Sequence, residues 1–385
     1  MDLKFEANGW QAVVADQFTF SHLRLVTQAI CNYTRKQMSY ADNFPPRLVI
    51  GYDARFMGRH FAHVAAEIIT QNSLDVFLSD RSAPTPAVSW MISDQVTTGA
   101  LMITGANESA EFNGVKYITS HMAIANEDTT SDIEAEIEAL SQQAGYFQYS
   151  RTPGDIFHVN PKPAYFRQLH KLVDLNAIAE AGVAVTVDYL YGAASGYLRE
   201  LFREVGLAIE EIQNSPLSDF GALVPALNDE NLYDLCQEVR RSEAGLAVGL
   251  AIDGDGSNVQ AVDASGAILS HAHLFGLLIH DGVTRRGWHG PVVKPRCTGD
   301  FAEQVAALHG LTVIYSNSSD FRWITAKVLE EQAMMASDGL GGYAFPGHIM
   351  ERDGILAGLL TLEMVATRQQ NLLDMLLDLE AQLSV

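Results

Sequence analysis

The feature that most restricts the fold of this chain is an alternation, made three times, of short apolar runs with stretches whose apolar residues recur at helical spacing. In the first round, Phe20, Leu23, Val26, Ile30 and Tyr33 mark a helix after Thr19, and Leu48-Val49-Ile50 a strand that ends in Gly51-Tyr52-Asp53. A helix over 58–71 follows, with Phe61, Ala65, Ile68 and Ile69 on its inner face, and strands at 74–78 and 99–104 come after it. The second round has strands at 183–188, 207–212 and 247–252, with helices near 196–205 and 229–241. The third has Val292-Val293, a helix over 300–308, a strand over 311–315 and a helix over 321–331. Strands separated by helices predict α/β units with mostly parallel sheets, because each crossover lays a helix on a sheet face. The end of the chain is helical at 355–365 and 372–383, broken at Gln369-Gln370-Asn371. That tail either packs back on the third unit or meets a partner through Leu372, Leu373, Met375, Leu376, Leu379 and Leu383.

Composition narrows the function classes. With 25 basic against 47 acidic residues in 385, the net charge is −22, which repels a phosphate backbone, and no basic patch offsets it. Cys31, Cys236 and Cys297 are too scattered for a disulfide framework or a metal knuckle. The opening Met1-Asp2-Leu3-Lys4 has no signal-peptide pattern, and no apolar run approaches the ~20 residues of a membrane span. The expectation is a cytoplasmic protein that engages neither nucleic acid nor membrane.

In such sheets ligands bind beyond the carboxyl ends of the strands, which directs attention to a few loops. Asp253-Gly254-Asp255-Gly256-Ser257-Asn258 follows an apolar strand, and its two carboxylates suit Mg²⁺ or another hard cation; the same string also reads as a plain Asp/Gly turn. Thr104-Gly105-Ala106-Asn107-Glu108-Ser109 is a second polar loop, whose amides suit a phosphate while Glu108 opposes one. Arg55, Arg59, Arg81, Lys116, Lys294, Arg296 and Arg322 are the cations nearest strand ends, where they hold an anionic ligand or pair with the many acids. His348 lies in a glycine-rich loop before Glu351-Arg352-Asp353-Gly354, and His271 and His273 read as surface or core-edge histidines.

At these loops the chain resembles the alpha-D-phosphohexomutases, the phosphoglucomutases and phosphomannomutases, over nearly its whole length. Phe5-Glu6-Ala7-Asn8-Gly9-Trp10-Gln11-Ala12 is similar to the family's FGTDGWRA, and Gly51-Tyr52-Asp53-Ala54-Arg55 to its GYDTR. Pro84-Thr85-Pro86-Ala87, Glu111-Phe112-Asn113-Gly114-Val115-Lys116-Tyr117, Val187-Asp188 with Tyr191-Gly192-Ala193, and Asp353-Gly354-Ile355-Leu356 extend the match. The resemblance implies three related α/β/α domains with mixed sheets, placed at 1–148, 149–262 and 263–368, with a C-terminal helix at 369–385; the fourth domain of the family is expected to be missing, since the sequence stops at Val385.

It also implies phosphoryl transfer through a serine, and here the chain departs. The TASHNP loop falls on 104–109, which puts Ala106 at the nucleophile and Asn107 at the adjacent histidine. DGDADR falls on 253–258, leaving Asp253 and Asp255 as metal ligands with Ser257 in place of the third and Asn258 in place of the arginine. GGEESG falls on 341–346, so Tyr343 and Ala344 stand where two glutamates grip the sugar. Two lost anionic ligands imply weak Mg²⁺ binding and no firm cofactor.

These departures predict a catalytically inactive relative that works by binding a protein partner, by homo-oligomerisation, or by holding a sugar phosphate or other small anion. Arg55, Lys116, Lys294, Arg322, Tyr343 and His348 are the expected ligand contacts. The alternative is an atypical phosphohexomutase, an intramolecular phosphotransferase that interconverts hexose 1- and 6-phosphates with weak Mg²⁺ dependence.

Overall fold

The computed structural model describes residues 3–37, 46–143 and 150–384. The expected domain boundary at 148/149 lies outside the described residues. Two compact units are resolved, one running to Tyr165 and taking in Leu217–Val224, the other formed by Phe166–Pro216 and the chain from Pro225 onward.

The first unit runs β1 (Trp10–Val13), α1 (Phe20–Gln37), β2 (Arg47–Tyr52), α2 (Gly58–Gln71), β3 (Asp75–Ser79), α3 (Thr85–Asp94), β4 (Gly99–Ile103), β5 (Phe112–Thr119), α4 (Glu127–Ser141) and β6 (Ile156–Val159). Its six-stranded sheet has the order β1-β5-β4-β2-β3-β6, antiparallel where β5 meets β1 and β4 and parallel elsewhere. Leu23, Val26 and Ile30 of α1 pack with Phe61, Ala65 and Ile69 of α2 over one face, and α3 puts Val88, Met91 and Ile92 on the other. Periodicity located α1 and α2 but not α3. Its start, Thr85-Pro86, reads as a turn in sequence, yet proline within the first turn of a helix costs no hydrogen bond because that N–H has no helical partner. The strand β6 pairs with β3 by Val76↔Ile156 through Ser79↔Val159, so residues 156–159 belong to the first sheet and not to a second unit that starts near 149.

The helix α5 (Pro161–Leu172) leads into the second unit: α6 (Leu175–Ala181), β7 (Ala184–Asp188), α7 (Tyr197–Glu204), β8 (Glu210–Ile212), α8 (Tyr233–Arg240), β9 (Ala247–Ile252) and β10 (Val259–Asp263). These strands form the sheet β10-β9-β7-β8. Then come α9 (His271–Thr284), β11 (Val292–Pro295), α10 (Phe301–Leu308), β12 (Val313–Ser316), α11 (Phe321–Glu331), β13 (Met335–Ser337), β14 (Tyr343–Ala344), α12 (Gly354–Arg368) and α13 (Leu372–Leu383), with the sheet β12-β11-β13-β14. Both sheets are parallel except at β10 and β14.

The helix α12 follows the third sheet in sequence but packs on the second. Every residue from Gly354 to Ala366 is buried, and the helix lies against β9, β10, α6 and α9, so the last helix of the third repeat completes the layer of the second. Gly358 makes this possible: a Cβ there would meet Leu250 Cδ1 at 2.9 Å. The helix α13 returns on α9 and α10, burying Leu372, Met375, Leu376 and Leu379, while Leu377 stays exposed. The tail therefore spends its apolar face inside the unit. Among the described residues no helix is long and apolar enough to cross a membrane.

The tightest strand–helix seam in the first unit is at Gly51, where a Cβ would lie 2.3 Å from Val88 Cγ2 and 3.0 Å from Val88 Cβ. Since the Val88 backbone is fixed in α3, Gly51→Ala is expected to cost about 1–3 kcal/mol of unfolding free energy, read as a lower urea midpoint at unchanged slope.

Candidate active-site loops

The loop after β4 is wound around a guanidinium. Arg55, at the carboxyl end of β2, donates through Nη1 to the carbonyls of Ser109 (2.5 Å) and Phe112 (2.9 Å), and through Nη2 to those of Ala106 (2.9 Å) and Glu108 (2.6 Å). Its Nε donates to Asp53 Oδ2 at 3.2 Å, and the group lies over the Phe220 ring, 4.8 Å from its centroid. Asp53 is shared, because Thr104 Oγ1 donates to the same Oδ2 at 2.6 Å and itself accepts from the Ala106 amide at 2.9 Å. Hydrogen bonds with an ionised donor contribute about 1.5–3 kcal/mol each, so this set fixes the loop.

Two positions show the tightness. Gly105 has no room for a side chain, since its Cβ would sit 2.7 Å from Arg55 Cζ. Ala106 is buried and has φ 49°, a left-handed conformation unusual for alanine. Its side chain is a methyl group, which offers no oxygen for a phosphoryl group. The hydroxyl of this loop within reach of solvent is that of Ser109, which hydrogen-bonds the Glu111 carboxylate. Backbone hydrogen bonding, followed by this hydroxyl, holds Glu111 below the usual carboxylate range.

In the second unit the loop between β9 and β10 is equally closed. Asp253 Oδ1 accepts from the Asn258 amide at 3.0 Å and Oδ2 from Asn258 Nδ2 at 2.7 Å, so one asparagine covers both oxygens. Asp255 Oδ1 accepts from Ser257 N at 3.3 Å, and the Ser257 hydroxyl is buried without a hydrogen-bond partner. Arg352 supplies the positive charge. It donates from Nε to Glu351 Oε1 at 3.1 Å, lies 3.8 Å from Asp338 Oδ2, and feels the field of Asp255. Burial works against its charge, but Glu351, Asp338 and Asp255 together push the guanidinium above its ordinary value. The loops are laced by Gly354 N donating to Gly256 O at 3.1 Å and Val259 N to Gly341 O at 2.9 Å.

The Mg²⁺ that the resemblance implies does not fit this donor set. One of the two expected carboxylates has both oxygens covered by Asn258, the other faces a guanidinium, and the third position is a hydroxyl. Among the described residues no three His, Cys, Asp or Glu side chains converge as metal ligands.

The expected ligand contacts are spent inside the fold. Arg55 is fully committed to its loop, so it corrects the expectation of a free anion-holding cation. Lys116 is completely buried on β5. Lys294 donates to Glu303 Oε1 at 2.8 Å, and Arg322 donates to both oxygens of Asp320, the N-cap of α11. His348 Nε2 lies 2.7 Å from Asp353 Oδ2, and Asp353 also caps α12 through the Leu356 amide. Tyr343 is a strand residue with no exposed surface, its hydroxyl donating to the His271 carbonyl at 3.4 Å, so its ring is core and not a sugar contact. His271 is half-buried at the start of α9, where burial drives its pKa down to about 4.

Sequence reasoning missed Asp188, Asp338, Glu351 and Arg352 as members of these sites. The signal for Asp338 was its place before Gly339 and Gly341 at a strand end, where its Oδ1 accepts from the amides of Leu340 (2.7 Å) and Gly342 (2.9 Å). Asp188 ends β7 with Oδ1 accepting from Leu190 N at 2.9 Å and Oδ2 buried without a partner. Burial raises its pKa to about 7, and Asp234 on α8 adds to the rise.

The three repeats match three family models: phosphoglucomutase/phosphomannomutase alpha/beta/alpha domain I over 2–144, domain II over 163–266 and domain III over 271–382. A phosphoglucomutase/phosphomannomutase of Thermococcus kodakarensis is 26% identical over 326 residues, covering 83% of this chain and 69% of the relative. A phosphoglucosamine mutase of Pseudomonas fluorescens is 23% identical over 333 residues, 85% and 71% of the two chains. In fold, a phosphomannomutase-like crystal structure from Thermus thermophilus superposes with a TM-score of 0.89 at 24% identity, covering 100% of this chain and 85% of that one. The open form of a Paramecium phosphoglucomutase, parafusin, gives 0.83 at 17%, covering 100% and 75%.

Two outcomes test these sites. An acid whose pKa is raised on folding binds more protons folded than unfolded, so its contribution to stability is present at low pH and is lost as pH climbs from about 4 toward about 7. Asp188→Asn is expected to remove that part of the decline, seen as a smaller fall in urea midpoint than wild type between pH 4.5 and 7.5. Mn²⁺ titration followed by EPR should show no saturable site at the Asp253–Asn258 loop, whereas Ser257→Asp combined with Asn258→Ala should create one.

Proposed function

The chain belongs to the phosphoglucomutase/phosphomannomutase family, and from that membership we propose that it acts on hexose phosphates as an atypical phosphohexomutase that interconverts the 1- and 6-phosphates without relying on Mg²⁺ at the Asp253–Asn258 loop. The observation that carries the reading is the run of all three family domains in order, in a chain whose reported relatives are named as mutases. These comparisons favour the mutase alternative over the inactive reading.

The route does not pass through residue 106. Ser109 is the replacement that this loop offers: its oxygen would take the phosphoryl group of a hexose bisphosphate as the sugar–phosphate bond breaks, and its proton would pass by way of the Glu111 carboxylate to the departing sugar oxygen. Arg55 holds the Ser109 carbonyl, which limits the drift of the hydroxyl. Moving a nucleophile three residues along a loop is costly, since a misplacement of ~1 Å can cost ~100-fold, so turnover is expected to be slow.

A second reading is favoured by Ala106 and by the double capping of Asp253: the fold binds a phosphorylated sugar, or a protein partner, without turning anything over. The two separate in one experiment. ³¹P NMR of glucose 1-phosphate with a catalytic amount of glucose 1,6-bisphosphate should show slow formation of the 6-phosphate, and mass spectrometry should place phosphate on Ser109. The Ser109→Ala variant is expected to lose both signals while keeping its fold. Absence of conversion and of protein labelling in wild type, with glucose 1-phosphate still binding by calorimetry, would establish the binding reading instead.

A further inference from the structure

Away from these loops, two histidines of the second unit face each other across a helix pair. His280, near the end of α9, and His309, which caps α10, bring Nδ1 of the first to 3.0 Å from Nε2 of the second, with ring centroids 5.0 Å apart and planes inclined by 49°. The geometry points to a seat for a divalent transition-metal ion held by these two imidazoles, with copper(II) or nickel(II) preferred over zinc.

The distance carries the argument. An imidazole nitrogen binds such an ion at about 2.0–2.1 Å, so two nitrogens 3.0 Å apart subtend roughly 94° at a shared ion. That is close to the right angle between neighbours in a square-planar or tetragonal shell and well short of the tetrahedral angle that zinc takes. Both rings are also held neutral, as ligands must be. Burial, then Arg368 and His309, drives the His280 pKa down to about 4, and burial lowers that of His309.

Charge and protons balance. Each neutral ring keeps one N–H; with that hydrogen on Nε2 of His280 and on Nδ1 of His309, both facing nitrogens are bare and the ion enters without displacing a proton. Asp378 and Gln382 of α13 and Gln370 line a small cavity on the His280 side, and a bound ion would complete its shell with water. Arg368 lines the same cavity and weakens cation binding. An occupied site would pin α9 to α10, and a bound ion stabilises the folded state by mass action. The competing arrangement, a plain imidazole–imidazole hydrogen bond, satisfies the same distance and is what the experiment must exclude.

The test is titration of the full chain with Cu²⁺, Ni²⁺, Zn²⁺ and Mg²⁺ at pH 7.5 in a non-chelating buffer, read by calorimetry, melting temperature and Cu²⁺ EPR. Expected are one Cu²⁺ per chain with hyperfine structure from two nitrogens, a rise in melting temperature, binding in the order copper over nickel over zinc, and none of Mg²⁺. His309→Gln should abolish the stoichiometric step and the thermal shift, and His158→Gln, on the first unit, should leave both intact. If His309→Gln melts early without metal, His280→Gln is read in its place. Equal copper uptake by wild type and the two site variants, or a spectrum without two-nitrogen coupling, would overturn the proposal.

Discussion

The first unit's candidate site depends on one guanidinium. Arg55 is buried at a strand end, and a buried cation is tolerated only when its donors are met by acceptors of good geometry. The acceptors are four carbonyls from a single loop, which converts an irregular segment into a ring closed on a charge. The left-handed turn at Ala106 and the absence of a side chain at Gly105 are consequences of that ring, because both let the backbone approach the guanidinium. Asp53 anchors the arginine from below and reaches the loop a second time through Thr104.

The second unit solves a similar problem with opposite charges. Its loops bring Asp253, Asp255, Asp338 and Glu351 into the interior, where carboxylates are costly unless compensated. Compensation comes from within the chain: the Asn258 amide and backbone take Asp253, and Arg352 sits among the other three. Breaking such a set by removing one partner leaves an uncompensated buried charge, which is why Arg352 matters to the fold. The helix α12, buried from Gly354 to Ala366, carries Asp353 at its cap and joins this cluster to the core.

Much of the fold was legible in the sequence because it is written in periodicity. The spans 58–71, 247–252, 321–331 and 372–383 match the observed elements, since long amphipathic helices and apolar central strands declare themselves locally. The helix α3 was not legible because its opening proline mimics a turn, and β6 was not because its exposed Ile156 and Phe157 carry no alternation. Of the sites, the loops and their departures at Ala106, Ser257 and Asn258 could be read residue by residue. What could not be read was where each cation spends its charge. That Arg55 turns inward to carbonyls, that Tyr343 lies in the core, and that Arg352 neutralises Asp338 and Asp255 are matters of three-dimensional packing between segments far apart in sequence.

The claim that Arg55 holds the 104–112 loop in place is tested most directly by hydrogen–deuterium exchange on Arg55→Lys. Lysine keeps the charge but has three donors on one atom and cannot span four carbonyls. The account predicts that amides of 105–112 lose protection by at least tenfold while those of β4 keep theirs. Loop protection equal to wild type in a folded Arg55→Lys protein would contradict it.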